Sequence, residues 1–263
     1  MSYSIGIWDD ESTRSWAGVY AESDLSGFSV SQNEDPDVLV ERVLSNAIDV
    51  ALLPPDTVLR NIRDLDILPA VCLSAVESPF AVVELKSVED LTPVILKAPP
   101  GKKYYKLIGE IVLKEHFGIG GVIDPGTGSS LDTRSDFEVR TLPVTSSPPG
   151  EGFILNLGRE WFELVSYPLI CALFVCRRRN ATSEMISAIR DTTIQIDVRK
   201  GSWISSQKLS PEHAEFYMSR MGFRLDDIAV ASLTNLCEYM YYYGVTTEIP
   251  TFSLASLEDT DTG

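Results

Sequence analysis

The sequence predicts an α/β protein in two lobes, the first built from both ends of the chain and the second inserted within it. Three observations predict this. Strand-like and helix-like stretches alternate from residue 3 to 75, and alternate again from 80 to 176. The last third reads as helices with no sheet of their own, and such helices need a sheet to cover. The run "LICALFVC" (169–176) is apolar throughout. It is too short to span a bilayer, which takes about 20 residues, and reads as a strand buried on both faces. The lobes are set at 1–86 with 181–254, and at 87–180, followed by a polar acidic tail at 255–263 that reads as disordered. Two such lobes leave a cleft between them, a usual place for a small ligand.

The elements follow in order. "YSIGIW" (3–8) is a strand, and "TRSWAGVYA" (13–21) a helix whose start has the hydroxyl of an N-cap. "DPDVLVERVLSNA" (35–47) is a clearer helix: Asp35 caps it, Pro36 fits its first turn, and Val40, Val43, Leu44 and Ala47 share a face. "IDVALLP" (48–54) is a strand, "DTVLRNI" (56–62) a short helix, and "DILPAVCLSA" (66–75) and "FAVVELKS" (80–87) are strands. In the middle section "TPVILKA" (92–98) is a strand and "KKYYKLIGEIVLKEHFG" (102–118) a helix ended by Gly118. Residues 124–136 and 145–152 have loop composition, and "FEVRTLPV" (137–144) alternates like a strand. A helix near 158–166 then feeds the apolar strand through Pro168, tolerated at a strand's start. Helices at 182–195, 210–222 and 226–244 complete the chain, the last with Ala229, Leu233, Leu236, Cys237 and Met240 on one face.

The formal charge of −16 over 263 residues argues against nucleic acid and against an anionic membrane surface as partners. "MSYSIGIWDD" has neither a basic n-region nor a long apolar stretch, so a cytoplasmic protein is expected. Cys72, Cys171, Cys176 and Cys237 form no C-x-x-C, and with His116 and His213 far apart no metal site is expected.

Against this acidic background there is no Asp or Glu between Leu91 and Gly109, but there are four lysines: Lys97, Lys102, Lys103 and Lys106. Pro99-Pro100-Gly101 leads them into a helix start, next to Tyr104, where free N–H groups and the helix dipole favour an anion. Trp8, Asp10 and Ser12 follow the first strand, whose carboxyl end belongs to the ligand crevice in doubly wound sheets. Glu77 and Ser78 precede the strand expected to cross between lobes. Arg177–Arg179 read as a solvated turn, Tyr239 and Tyr241–Tyr243 as helix packing, and "GTGSS" (126–130) as a linker, since no Walker lysine follows it.

"IDVALLPPDTVLRN…LDILPAVCLSAVESPFAVVEL" resembles the menaquinone-biosynthesis chorismate dehydratase family, and "LNLGREWFELVSYPLICALFVCRR" resembles that family's D-L-G-x-x-W-x-x-x-T-G-x-P-F-V-F-A-x-W segment. The resemblance implies a type 2 periplasmic-binding-protein-like fold, with mixed sheets flanked by helices and a small organic acid in the cleft. It implies a carbon–oxygen lyase that takes water from chorismate to give 3-enolpyruvylbenzoate, without metal or cofactor. The sequence departs from the family where chemistry would occur. Ser12 stands at the family's Asn, Val82 at its Ser, "KKYYK" at its S-x-T-S, and "PVTSSPPGEG" at its I-G-D. Val82 neither donates nor accepts a hydrogen bond. The expectation is therefore a small-molecule binding protein of this family, with Ser12 the catalytic candidate if the dehydratase reaction survives. An extracytoplasmic solute-binding receptor is the further alternative. The ligand and the oligomeric state are not legible in the residues.

Overall fold

A computed structural model of the chain describes residues 3–10, 12–13, 20, 28–33, 35–78, 80–84, 94–99, 101–119, 122–123, 137–141, 154–198 and 221–255. The chain divides into two compact units, one of residues 1–74 and 170–263, the other of residues 75–169. The sequence reading puts the divisions at 86/87 and 180/181. The structural divisions fall earlier because β5 (Phe80–Glu84) pairs with strands of the inserted unit, and Arg178 and Arg179 bind back to the first unit.

The first unit holds a six-stranded sheet, β11-β4-β10-β3-β1-β2. Its strands are β1 (Tyr3–Trp8), β2 (Phe28–Asn33), β3 (Val50–Leu53), β4 (Leu65–Ala75), β10 (Leu169–Arg177) and β11 (Met221–Gly222). β1 runs parallel to β2 and β3, while β10 is antiparallel to β3, with Phe174 opposite Leu52. Leu169 to Cys176 are all buried, as a strand covered on both faces requires. β2 is absent from the sequence reading: "FSVSQN" is polar and only partly covered, as an edge strand can be. Gly222, read as a helix end, lies in β11, where a Cβ would meet Ser74 Oγ at 2.6 Å.

Helix α1 (Pro36–Leu44) starts as expected, with Asp35 accepting from Asp37 N and Pro36 in the first turn. Its buried residues are Leu39, Val40 and Val43; Leu44 is half-buried and Ala47 exposed, because the helix ends at Leu44. α2 (Pro55–Arg60) follows β3 directly. α5 (Ser183–Val198) and α6 (Asp227–Tyr242) follow in the second segment of this unit. Ala229, Leu233, Leu236, Cys237 and Met240 of α6 are buried together. The start of the expected tail is tied down: Leu254 bridges Ile67, and Ala255 N donates to Ile67 O at 2.8 Å. Residues 210–220 of the helix expected at 210–222, and most of that at 13–21, lie outside the described residues, as do both middle loops and residues 256–263.

The inserted unit holds a five-stranded sheet, β7-β6-β8-β5-β9, with β6 (Val94–Lys97), β7 (Val122–Ile123), β8 (Phe137–Thr141) and β9 (Ile154–Asn156). α3 (Lys103–Ile111) continues into a π-helical turn (Val112–His116) that stops at Gly118, φ 66°. α4 (Leu157–Val165) packs on α3, on the π turn and on β5. It ends at Ser166 in the left-handed region, φ 63°, whose N–H donates to Phe162 O.

Candidate functional site

Three places carry the residues picked out by the sequence. The first is the turn after β1. Asp10 and Ser12 are fully buried and Trp8 is 1% exposed. Asp10 Oδ1 accepts from the Ser12 N–H at 2.9 Å and from the Ser12 hydroxyl at 2.7 Å. Thr13 closes the turn: its N–H donates to Asp10 O at 3.0 Å, and its hydroxyl donates to Trp8 O. A short acid thus organises its own backbone, as Asp does in tight turns. The Ser12 hydroxyl donates into this turn.

The second place joins Glu77 and Ser78 to the start of α4. Asn156 is the N-cap of α4, and its Oδ1 accepts from Gly158 N at 3.1 Å and Arg159 N at 3.2 Å. The same amide grips Ser78 from both sides, through Ser78 N to Oδ1 at 2.9 Å and Nδ2 to Ser78 O at 2.8 Å. Gly158 makes this approach possible: a Cβ there would lie 2.5 Å from Ser78 N and 3.0 Å from Glu77 Cα. Arg159 Nη2 pairs with Glu77 Oε1 at 2.7 Å. Glu77 raises the guanidinium's pKa through that hydrogen bond and its charge. Ser78 is fully buried.

The third place is the start of α3. Lys102 is the N-cap, no side chain caps the helix, and its first turn has no acid. Lys97 ends β6, opposite Glu138 of β8, and is half-buried; Lys102 is half-buried and Lys103 exposed. Tyr104 is 1% exposed and packs on Tyr105, centroids 5.3 Å apart, so it belongs to the core of the inserted unit. Beyond α3, His116 Nε2 stands 3.6 Å from Glu160 Oε2 of α4. Burial raises the pKa of Glu160, and His116 opposes the shift.

The turn after β1 belongs to the first unit, and the other two places belong to the second. The four cysteines are buried and form no disulfide. Burial pushes Cys176 and Cys237 up to about 12 and Cys72 higher still, so none of these three presents a thiolate near neutral pH.

No family model and no curated protein sequence matches the chain. Solved structures do. Protein AF1704 from Archaeoglobus fulgidus matches with a TM-score of 0.65 at 16% identity, over 93% of this chain and 98% of its own. The alkanesulfonate-binding protein SsuA from Xanthomonas axonopodis pv. citri, bound to MOPS, matches with 0.59 at 13% identity, over 95% and 94%. The Candida albicans CA3427 gene product, described as having the generic periplasmic binding protein fold, matches with 0.56 at 11% identity, over 97% and 99%. The chain has a periplasmic-binding-protein-like fold.

Sequence reasoning missed two residues of this periplasmic-binding-protein-like chain. Asn156 makes four hydrogen bonds, and the signal was its place before Leu-Gly-Arg-Glu, a helix start. Asp56 stands in the first turn of α2, after the carboxyl end of β3. It is buried, and its Oδ1 has no hydrogen-bond partner. Burial raises its pKa to about 6 against the pull of Arg60. "LLPPD" carried the signal: an acid at the end of an apolar strand.

Proposed function

We propose that this chain binds a small organic anion on the lysine-bearing start of α3, without a metal or other cofactor, in the cytoplasm. The supporting observation is the start of α3 itself. It has no side-chain cap and no acid in its first turn. Lys102, Lys103 and Lys106 stand on and beside it in a chain of net charge −16. Lysines there oppose the helix dipole at about 0.3–1 kcal/mol each, a cost that a bound anion offsets. A protein of the same fold, described as alkanesulfonate-binding, gives the reading a precedent. Four buried cysteines, none in a disulfide, accord with a reducing compartment. Thermal stabilisation against chorismate, 3-enolpyruvylbenzoate, aromatic carboxylates and alkanesulfonates tests the reading. A ligand at 100-fold its Kd stabilises by about 2.7 kcal/mol. No response to any anion removes it.

The second reading is membership of the menaquinone-biosynthesis chorismate dehydratase family with the reaction retained. It is favoured by "NLGREW", the segment most like that family, which builds the clamp on Ser78. Incubation with chorismate at high protein concentration decides it: formation of 3-enolpyruvylbenzoate supports the lyase, and unchanged chorismate leaves the binding protein.

A further inference from the structure

The first unit contains a buried acceptor that its own residues leave unused. Asp56 is 6% exposed, and its Oδ1 has no hydrogen-bond partner. Its other oxygen, Oδ2, lies 3.5 Å from Nη2 of Arg60. That guanidinium is divided among several acceptors. The same Nη2 lies 3.6 Å from Asp37 Oδ1 and donates to Thr57 Oγ1 at 3.2 Å. The Thr57 N–H also donates to the carboxylate, yet Oδ1 is left without a partner. Pro54 is the N-cap of α2 and Pro55 its first residue, and neither has an N–H. A buried carboxylate oxygen left in this state is costly, and such exceptions call for an explanation in a missing partner.

The position suggests which partner. β2, β1 and β3 are adjacent and parallel, so their carboxyl ends form one edge of the sheet, where ligands of open α/β sheets bind. Asp35 and Asp37 stand at the start of α1, and Asp56 after β3. Arg60 is shared between Asp37 and Asp56. One guanidinium thus serves two carboxylates, and an acceptor oxygen without a donor in that setting is matched by a cationic donor. A neutral hydroxyl would satisfy the oxygen and leave the charge.

We propose that Asp56 is the acceptor for a protonated amine, so that the first unit binds a ligand through an ammonium group. This goes beyond the anion reading and draws on none of its residues, so the two fail separately. The test uses the full chain at pH 8, titrated with benzylamine, putrescine and ethanolamine, and with benzyl alcohol, 1,4-butanediol and ethylene glycol as their uncharged counterparts. Thermal melting and calorimetry give the readout. At least one amine should stabilise the protein where its alcohol does not. Asp56→Asn, nearly the same shape, should weaken that amine about tenfold or more, the scale of one hydrogen bond to a charged group. Asp35→Asn removes an equal charge from an exposed carboxylate on the same edge and should leave the amine's affinity unchanged. An amine response equal in wild type and Asp56→Asn overturns the proposal, as does equal loss in both variants, which reports general acidity. Absence of any amine response in the wild type overturns it too, whatever the anions do.

Discussion

Asn156 and Ser78 exchange a full pair of hydrogen bonds: the Ser78 N–H donates to Asn156 Oδ1 at 2.9 Å, and Asn156 Nδ2 donates to Ser78 O at 2.8 Å. Only an amide side chain supplies both halves of that pair. Asn156→Asp keeps the helix cap and loses the donor to Ser78 O. Asn156→Ala loses both. Urea denaturation should show a loss of about 1–3 kcal/mol for the aspartate and a larger one for the alanine. Equal stability of Asn156→Asp and wild type would mean that the donor to Ser78 contributes nothing.

Gly158→Ala sets two effects against each other. Alanine favours a helix by about 1 kcal/mol over glycine. Its Cβ, however, would stand 2.5 Å from Ser78 N, a backbone atom with no flexible end to move aside. The clash should win, with a net loss of about 1–3 kcal/mol by the same denaturation assay.

Asp56 should make stability depend on pH in a defined direction. Its pKa is raised to about 6 by burial, so the folded state holds a proton that the unfolded chain gives up. Such a group adds stability that is complete below about pH 4 and lost as the pH rises through 6. The whole effect is roughly 3 kcal/mol at most. Asp56→Asn should therefore gain on wild type at pH 7.5, and the gain should shrink towards pH 4.5. A constant difference across that range would count against a titrating Asp56.

The lysines of α3 should separate binding from stability. Lys103→Ala should weaken any stabilising organic anion several-fold, while stability without ligand stays within about 0.5 kcal/mol or rises slightly, because a charge that opposes the helix dipole is gone. Isothermal titration beside a melting curve gives both numbers. A fall in both would make Lys103 a structural residue.

The four thiols should be silent in the folded protein. All are buried, and burial raises the pKa of Cys72, Cys176 and Cys237. A chromogenic disulfide reagent at pH 8 should find none promptly and all four in denaturant.

How far the residues disclosed the fold depended on whether the signal was local. The apolar run 169–176 names a strand covered on both faces without any partner being known, and the burial of Ala229 through Met240 follows helical spacing alone. β2 fails that test, because an edge strand can remain polar and its pairing with β1 is a long-range fact. The unit boundaries fail it too: nothing in "FAVVE" announces that β5 sits between β8 and β9. At the candidate site, Ser12, Glu77 and the lysines are visible by type and position. The role of Asn156 depends on Ser78 arriving from a distant turn, and the isolation of Asp56 appears only once every neighbour has been placed.

The inserted unit is one continuous stretch, residues 75–169, while β3 reaches its antiparallel neighbour β10 only across that whole stretch. On the ribosome the two units therefore meet different schedules. The inserted one has all its residues once 169 has emerged. The other must wait with β1, β2 and β3 already made and the central seat beside β3 empty until β10 arrives. During that interval an apolar strand edge is open, the state in which nascent chains are most exposed to aggregation and most dependent on chaperones.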